Sequence, residues 1–454
     1  MLDIKFIREN PDKVKEGISK KGADSSLVDN VLDLDKKRRE LIQQIDTLRA
    51  KKNIAQEKLI SSEERKKVLP SLPAQAGEER QVLIKEKEEN KKEILDVLKQ
   101  AKLVLEDKEK ELGKLEQEYQ KLMSSIPNLP LEDVPFGKDE KDNIVLREIG
   151  KKPHWNFTPK DYLTLGESLD IIDTKRAAKT SGSRFGFLKR EAAQLEIALV
   201  HLAFDKLTKK GFIPVIPPVL IKPEPFWGMG YLDKGKEEVY YLEKDDLYLI
   251  GTAEQIIGPM HMNEILKEEE LPLRYTGFSS CFRREAGSYG KDTKGILRVH
   301  QFDKVEMFIF SKPEDAQKEH EFLLSIEEEL MQSLGIPYRV INICSGDLGD
   351  PAAKKYDIEA WLPGQNNGQG EYRETHSTSN CTDYQARRLN VKYLNPQTSK
   401  NEFVYTLNGT ALAIGRAIIA ILENYQTKEG FIRIPKLLIP YMGGIKVIKR
   451  KSSS

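Results

Sequence analysis

From Val31 to Met123 the chain carries no phenylalanine, tryptophan, histidine or cysteine, and Tyr119 is its single tyrosine. Lys, Glu, Leu, Ile and Gln dominate, the composition of long helices. The apolar spacing agrees. Val31, Leu34, Leu41, Ile45, Leu48, Ala55 and Leu59 fall on alternating three- and four-residue steps, with Arg38 and Lys52 as interruptions. Ile94, Leu98, Ala101, Leu105, Leu112, Leu115, Tyr119 and Leu122 do the same, with Lys108 as the interruption. This is the heptad pattern of a two-stranded coiled coil. Between the runs lies VLPSLPAQAGEE, whose Pro70, Pro73 and Gly77 stop a helix and allow the chain to reverse. An antiparallel helical hairpin is expected. An arm of about 40 residues, rising about 1.5 Å per residue, reaches roughly 60 Å. Its core is too narrow for an active site. Such an arm either joins two copies of the chain or probes a distant part of a large ligand.

The rest of the chain is of another kind. SSIPNLPLEDVPFG, after Met123, is rich in Pro and turn formers and reads as a linker. Beyond it, aromatics, Gly, Pro and mixed strand and helix patterns describe one large α+β unit. The expected division is residues 1–124 for the helical domain, 125–165 for the linker and entry to the core, 166–446 for the α+β domain and 447–454 for a basic tail. The net charge of +1 excludes a uniformly basic nucleic-acid binder, so any such surface is local. Cys281, Cys344 and Cys381 form no CxxC pair, which argues against a disulfide framework or a zinc site and fits a reducing compartment. MLDIKFIREN has no apolar signal segment, and no run approaches about 18 apolar residues. The expectation is a cytoplasmic protein without a membrane span.

Four stretches of the α+β unit carry chemistry. CFRREAGSYGKDTKGILRVHQFDKVEM reads as two strands flanking a polar loop, Gly287–Lys294. Counting alternation, Arg283 and Glu285 share one face of the first strand, and Phe282 and Arg284 the other. Arg298, His300, Phe302, Lys304 and Glu306 share one face of the second, opposite Val299, Val305 and Met307. A face with two guanidiniums, two carboxylates and a phenyl ring suits a nucleotide, because arginine pairs with phosphate and an aromatic ring stacks on a base. A solvated sheet face with cross-strand ion pairs fits as well. NEFVYTLNGTALAIGRAIIAILENY reads as a strand, a turn at Asn408–Gly409 and a helix. There Arg416 sits among small and apolar residues, and a buried guanidinium needs an anion. LYLIGTAEQIIG delivers Thr252 and Glu254 to a turn after an apolar strand, although such residues also cap helices. RETHSTSNCTDYQARR is dense in hydroxyls and reads as a turn-rich loop, or as a place where Glu374 holds a metal bridging phosphates. Neither a GxxxxGK[ST] loop nor a GxGxxG turn after a strand occurs, so ATP binding would need another device.

In this order the stretches resemble the class II aminoacyl-tRNA synthetases, and within them the seryl-specific family of bacterial or organellar type. The likeness covers essentially the whole chain. The helical hairpin is followed by GFIPVIPPVL as the first motif, TAE at 252–254, FRREAG with GILRVHQFDKVEMF as the second, SNCTDYQARR, and NGTALAIGR as the third. The resemblance implies an antiparallel catalytic sheet flanked by helices, with the N-terminal arm gripping tRNA across a homodimer. It implies activation of L-serine by ATP and Mg²⁺ to seryl-adenylate, then transfer to tRNA(Ser) and tRNA(Sec).

By position, Arg283, Glu285 and Arg416 carry the catalytic roles. Thr252, Ala253, Glu254, Glu306, Asn408 and Thr410 join Arg283 around serine. ATP falls to Arg283, Arg284, Glu285, Arg298, Val299, Phe302, Glu374, Thr375, His376, Ser377 and Arg416, with Glu374 and Ser377 beside the metal. The family often has Glu-Ile-Ser-Ser-Cys where this chain has Glu374-Thr375-His376-Ser377-Thr378, and many members have Ser at Thr410. Lys36, Lys37, Arg38, Arg39, Arg49, Lys51 and Lys52 suit phosphate contacts along the arm. The alternatives are an inactive scaffold with this fold, a relative charging a carrier protein, and a structural coiled coil.

Overall fold

A computed structural model describes residues 1–68, 77–232, 235–286 and 294–450. The reversal at Pro70 and Pro73, the loop residues 287–293 and the last four residues lie outside them. The chain divides into two compact units. One comprises Ile7–Pro11 and Ser25–Ser125, the other Met1–Phe6, Asp12–Asp24 and Ile126–Ser454.

The first unit is dominated by helices α1 (Ser26–Val68) and α2 (Gly77–Ser125). Their pairing is antiparallel: Arg38 meets Glu116 at 3.3 Å, Gln44 meets Lys108 at 2.7 Å and Arg49 meets Glu109 at 2.7 Å. From Arg38 to Arg49 the partner moves back from Glu116 to Glu109. Val31, Leu34, Leu41, Ile45 and Tyr119 are buried in the seam, as the heptads require. The polar interruptions are used. Arg38 lies over the Tyr119 ring at 5.4 Å, and Lys108 donates to Gln44, so both cross the seam to a partner.

The second unit is built on an eight-stranded sheet. Its strands are β1 (Ile144–Ile149), β2 (Ile213–Val215), β3 (Leu273–Phe282), β4 (Gln301–Ser311), β5 (Tyr338–Asn342), β6 (Lys354–Leu362), β7 (Glu371–Asn380) and β8 (Tyr405–Ala413). Their order is β1-β5-β6-β7-β8-β4-β3-β2. Every pair is antiparallel except β2 with β3. Helices α3 (Glu191–Lys209), α4 (Ala316–Leu334) and α5 (Ile414–Asn424) contribute to the main core. Leu195, Leu199, Leu323, Leu330, Ile418 and Ile421 meet Val305, Met307, Ile309, Val340, Ile358 and Leu407 there. Val305 and Met307 therefore do face a core, Val299 before the strand borders both that core and a cavity, and the opposite face of β4 is left for Phe302, Lys304 and Glu306.

Three expectations need correction. The charged strands are shorter than alternation suggested: β3 stops at Phe282 and β4 begins at Gln301, so Arg283, Glu285 and Arg298 lie outside the ladder. Glu285 has a φ of 53°, in the left-handed region that no strand residue occupies. Asn408–Gly409 is no turn; both residues are inside β8. Glycine fits closely there: a Cβ would lie 3.0 Å from Glu327 Oε1 and 3.1 Å from Thr378 Oγ1, so both side chains would have to yield. The stretch from Glu374 to Asn380 is strand β7, between β6 and β8, rather than a loop.

Glu327 is unusual. It is fully buried on α4, and neither carboxylate oxygen has a hydrogen-bond partner among the described residues. Burial, followed by the charges of Glu306, Asp357 and Glu328, raises its carboxyl well above the ordinary range, and Lys304 offsets this in part. A carboxyl held neutral only in the folded state stabilises at low pH, and that contribution is lost as pH rises above the ordinary carboxylate range toward the raised value. The Glu327→Gln variant should therefore exceed the parent in thermal midpoint by several degrees more at pH 8 than at pH 5. A gap that does not widen between the two pH values would contradict this account.

Candidate active site

On the face of the sheet opposite the main core lies a cavity of about 580 Å³. Its size is that of a small-molecule site. Arg283, Glu285, Arg298, Val299 and Phe302 line it, together with Thr252, Glu254, Glu306, Asn408 and Thr410. Glu374, Thr375, Ser377 and Arg416 line it as well. Sequence positions 164 residues apart thus converge on one space.

Backbone irregularity makes this convergence possible. In a pleated strand consecutive side chains point to opposite faces. Here Phe282 and Arg283 both line the cavity, and so do Ile296 through Val299. The chain leaves the ladder at those points. Phe282 N–H donates to Ile250 O at 2.8 Å and Arg283 N–H to His300 O at 3.0 Å, so the departing backbone remains anchored. A bulge acts similarly in β7. The pairing with β6 slips between Ile358–His376 and Glu359–Glu374, leaving Thr375 as the extra residue. Glu374, Thr375 and Ser377 then all face the cavity. A second slip, between Val305–Leu412 and Glu306–Thr410, sets Glu306 beside Thr410.

The cavity has two chemically distinct regions. In one, the Arg283 guanidinium lies 5.2 Å from the Phe302 ring centroid, and Arg298 meets Glu285 at 3.3 Å. Arg416, in the first turn of α5, donates to Glu374 O at 2.8 Å and pairs with its carboxylate at 3.4 Å. Desolvation pushes the Glu374 carboxyl up, but the charges of Arg416, Lys355 and Arg283 outweigh it and hold it near about 2. This group is ionised. The second region is acidic and buried. Lys304 and Glu306 form an ion pair with side chains 8% and 1% exposed. Thr252 donates to Glu306 Oε2 at 3.0 Å, and Tyr231 O–H donates to the Glu254 carboxylate. Burial and the neighbouring Glu306 raise Glu254 to about 7, against the opposing pull of Lys304, Tyr231 and Arg283.

Three expected residues do not line the cavity. Ala253 is buried in a second apolar cluster with Ile257 and Phe308. Arg284 turns away, its guanidinium 5.3 Å from the Tyr240 ring. His376 is 1% exposed and points from the opposite side of β7, with Nδ1 2.8 Å from Thr375 Oγ1. The bulge that brings Thr375 to the cavity leaves His376 on the other side. Burial lowers its imidazole to about 4, so it is neutral. Conversely, Tyr231, Lys355 and Cys381 line the cavity without having been singled out. Nothing in local spacing marks Tyr231. Lys355 and Asp357 pair at 3.2 Å on the cavity face of β6, where the period-two pattern of a strand carries the only signal.

Among the described residues no helix is long and apolar enough to cross a membrane, and no group of three or more His, Cys, Asp or Glu side chains converges as for a resident metal.

Comparison with known proteins accounts for both units. The seryl-tRNA synthetase N-terminal domain model matches residues 1–130, and the tRNA synthetase class II core domain (G, H, P, S and T) model matches 239–425. The serine–tRNA ligase of Thermobifida fusca is 46% identical over 443 residues, 98% of each chain. That of Dictyoglomus thermophilum is 47% identical over 454 residues, 99% of this chain and 100% of its own. The crystal structure of seryl-tRNA synthetase from Pyrococcus horikoshii complexed with ATP superposes with a TM-score of 0.85 at 41% identity, covering both chains completely. With full-length identity well above what a shared fold alone requires, and both domains accounted for, the chain belongs to the seryl-tRNA synthetase family of class II aminoacyl-tRNA ligases.

Proposed function

We propose that the cavity joins L-serine to the α-phosphate of ATP and that the seryl group then passes to the 3′ end of tRNA(Ser), and of tRNA(Sec). One observation carries the assignment of roles. Arg298, Arg416, Lys304 and Lys355 each pair directly with a carboxylate, whereas the Arg283 guanidinium donates to Gly251 O and lies by the Phe302 ring, with no salt bridge of its own among the described residues. Arg283 is the guanidinium available to a substrate anion, and it lies between the aromatic shelf and the acidic region.

In this reading adenine stacks on Phe302, with its amino group toward Glu285 and its ring bordered by Val299. Arg298 and Arg416 hold the phosphates, and Thr375 borders them. Arg283 holds the α-phosphate against the serine carboxylate. A carboxylate oxygen of serine attacks the α-phosphorus in line, the bond to the leaving oxygen breaks, and pyrophosphate departs. No protein nucleophile is used; catalysis is alignment and charge stabilisation. Thr252, Glu254 and Glu306 receive the ammonium and hydroxyl of serine, and Asn408 and Thr410 complete the hydroxyl pocket. Such a site rejects alanine strongly, because its polar groups would be left unpaired. The ionised Glu374 carboxylate and the Ser377 hydroxyl fit Mg²⁺, which takes one or two carboxylates plus phosphate oxygens, and when bound it would neutralise charge on the phosphates.

The arm is assigned to tRNA, with the exposed Lys36, Lys37 and Lys51 as phosphate contacts. Exposed Ile197, Ile213 and Ile216, at 65%, 46% and 71%, lie on or beside α3 and β2 and suit a homodimer contact. A cytoplasmic location belongs to the same reading. The inactive-scaffold alternative gains no support from the relatives, which are named ligases.

Pyrophosphate exchange with ATP and Mg²⁺ should proceed with serine and fall to background with alanine and glycine; exchange that does not discriminate serine from alanine would overturn the assignment of the hydroxyl pocket. Arg283→Lys keeps the charge but loses the fork, and should lower serine-dependent exchange by about 10²-fold or more without lowering the thermal midpoint. Deleting residues 45–107 and joining the ends by a short Gly/Ser turn keeps the Gln44–Lys108 pair. The shortened protein should retain exchange and lose at least about tenfold in tRNA charging at physiological salt. Loss of both activities together, from a folded protein, would dissociate the arm from tRNA recognition.

A further inference from the structure

Tyr231 belongs to none of the roles assigned above, yet its hydroxyl donates to the Glu254 carboxylate inside the cavity. It follows the short helix Pro223–Gly228, which packs with a separate apolar cluster around Phe226 and Tyr248. The Tyr231 ring belongs to that cluster's margin and also to the margin of the cluster containing Ala253 and Ile257. Its position is therefore set by contacts with two packed groups, from which the hydroxyl reaches Glu254.

Glu254 needs such a donor. Its residue is 5% exposed. Glu306 and Lys304 face it from β4, Arg283 from the end of β3, Tyr231 from the segment after the short helix, and Cys381 from the end of β7. Lys304 is already committed to Glu306. Tyr231 is thus the neutral donor that favours the ionised form of Glu254 without competing with it for a proton, since burial and the Glu254 charge keep the phenol protonated.

We propose that Tyr231 is a positioning residue for amino-acid binding: its hydroxyl fixes the Glu254 carboxylate in the ionised, oriented state that receives the ammonium of the incoming amino acid. The proposal rests on the reading that Glu254 binds serine. One lone pair of the carboxylate is occupied by the phenol, and the remaining acceptor directions are left for the substrate. Without the phenol, a buried carboxylate beside Glu306 protonates at higher pH and a protonated Glu254 offers the ammonium a dipole instead of a charge.

The test is the pH dependence of kcat/KM for serine in pyrophosphate exchange, with saturating ATP, for the parent, Tyr231→Phe and Glu254→Gln. In the parent the acid limb should fall near the pH at which Glu254 ionises. Tyr231→Phe keeps the ring and its packing, and should move that limb upward by about one pH unit. KM for serine at pH 6.5 (a condition of the assay) should rise about tenfold, while KM for ATP stays at the parent value. Glu254→Gln should abolish the limb. If the limb survives in Glu254→Gln, the assignment of Glu254 to serine is wrong. If Glu254→Gln abolishes it but Tyr231→Phe leaves it in place, Glu254 stands and the role of Tyr231 falls. Equal losses for ATP and serine in Tyr231→Phe would also overturn the proposal, because a general structural defect does not separate the two substrates.

Discussion

Two opposite charges inside the catalytic sheet constrain the rest of the site. Lys304 and Glu306 lie two residues apart on β4, facing the same side, and both are nearly excluded from solvent. Removing charges from water costs several kcal/mol per ion, and their mutual attraction repays this only when further hydrogen bonds satisfy them. Thr252 supplies one to Glu306. The pair has little claim as a stabiliser compared with apolar residues of the same size. Its effect is to keep a second carboxylate, Glu254, close to Glu306 without unsupportable repulsion. Lys304 opposes the rise of both Glu254 and the more distant Glu327. An acidic pocket is therefore built around one internal cation, Lys304.

How much of this could be read from the chain depends on the period of each element. The arm was legible because a coiled coil repeats, and even its interruptions are informative. Arg38 and Lys108 break the apolar pattern and then cross the seam to Glu116, Tyr119 and Gln44. Alternation along β4 was legible for the same reason. It separated Val305 and Met307, which enter the core, from Phe302 and Glu306, which enter the cavity. The family resemblance extended this to residues whose grouping no period could provide.

Failures occurred where the backbone leaves its period. Alternation extended past Phe282 placed Arg283 correctly toward the cavity but treated the departing segment as strand, and it put His300 beside Phe302. His300 instead lies against Phe185, with ring centroids 5.4 Å apart, and its Nδ1 is 3.0 Å from Arg283 O. The resemblance grouped His376 with Glu374 and Ser377 around ATP, and one extra residue in a bulge separates them. Asn408–Gly409 has the composition of a turn, but its glycine answers a packing demand from Glu327 and Thr378 across the sheet. Local rules cannot register such a demand, because the residues that impose it are about 80 and 30 positions away in sequence.

In the proposed reading this sheet holds phosphate chiefly through arginine side chains. The positive charge is distributed over arginines from three separate segments, and two of these are held by the cavity's own carboxylates: Arg298 by Glu285 and Arg416 by Glu374. Pairing fixes each guanidinium fork in place before a substrate arrives, so little rotamer freedom remains to be lost on binding. It also limits the field each presents. Arg283, stacked near Phe302 and held through a backbone carbonyl, acts on Glu254 and Glu374 only through its field and forms no direct salt bridge among the described residues. The arrangement thus separates two requirements that one group cannot meet equally well. In the proposed reading the paired arginines supply fixed geometry for an extended polyphosphate, and the one without a direct salt bridge supplies attraction at the junction where two anions, a carboxylate and a phosphate, must approach each other to react.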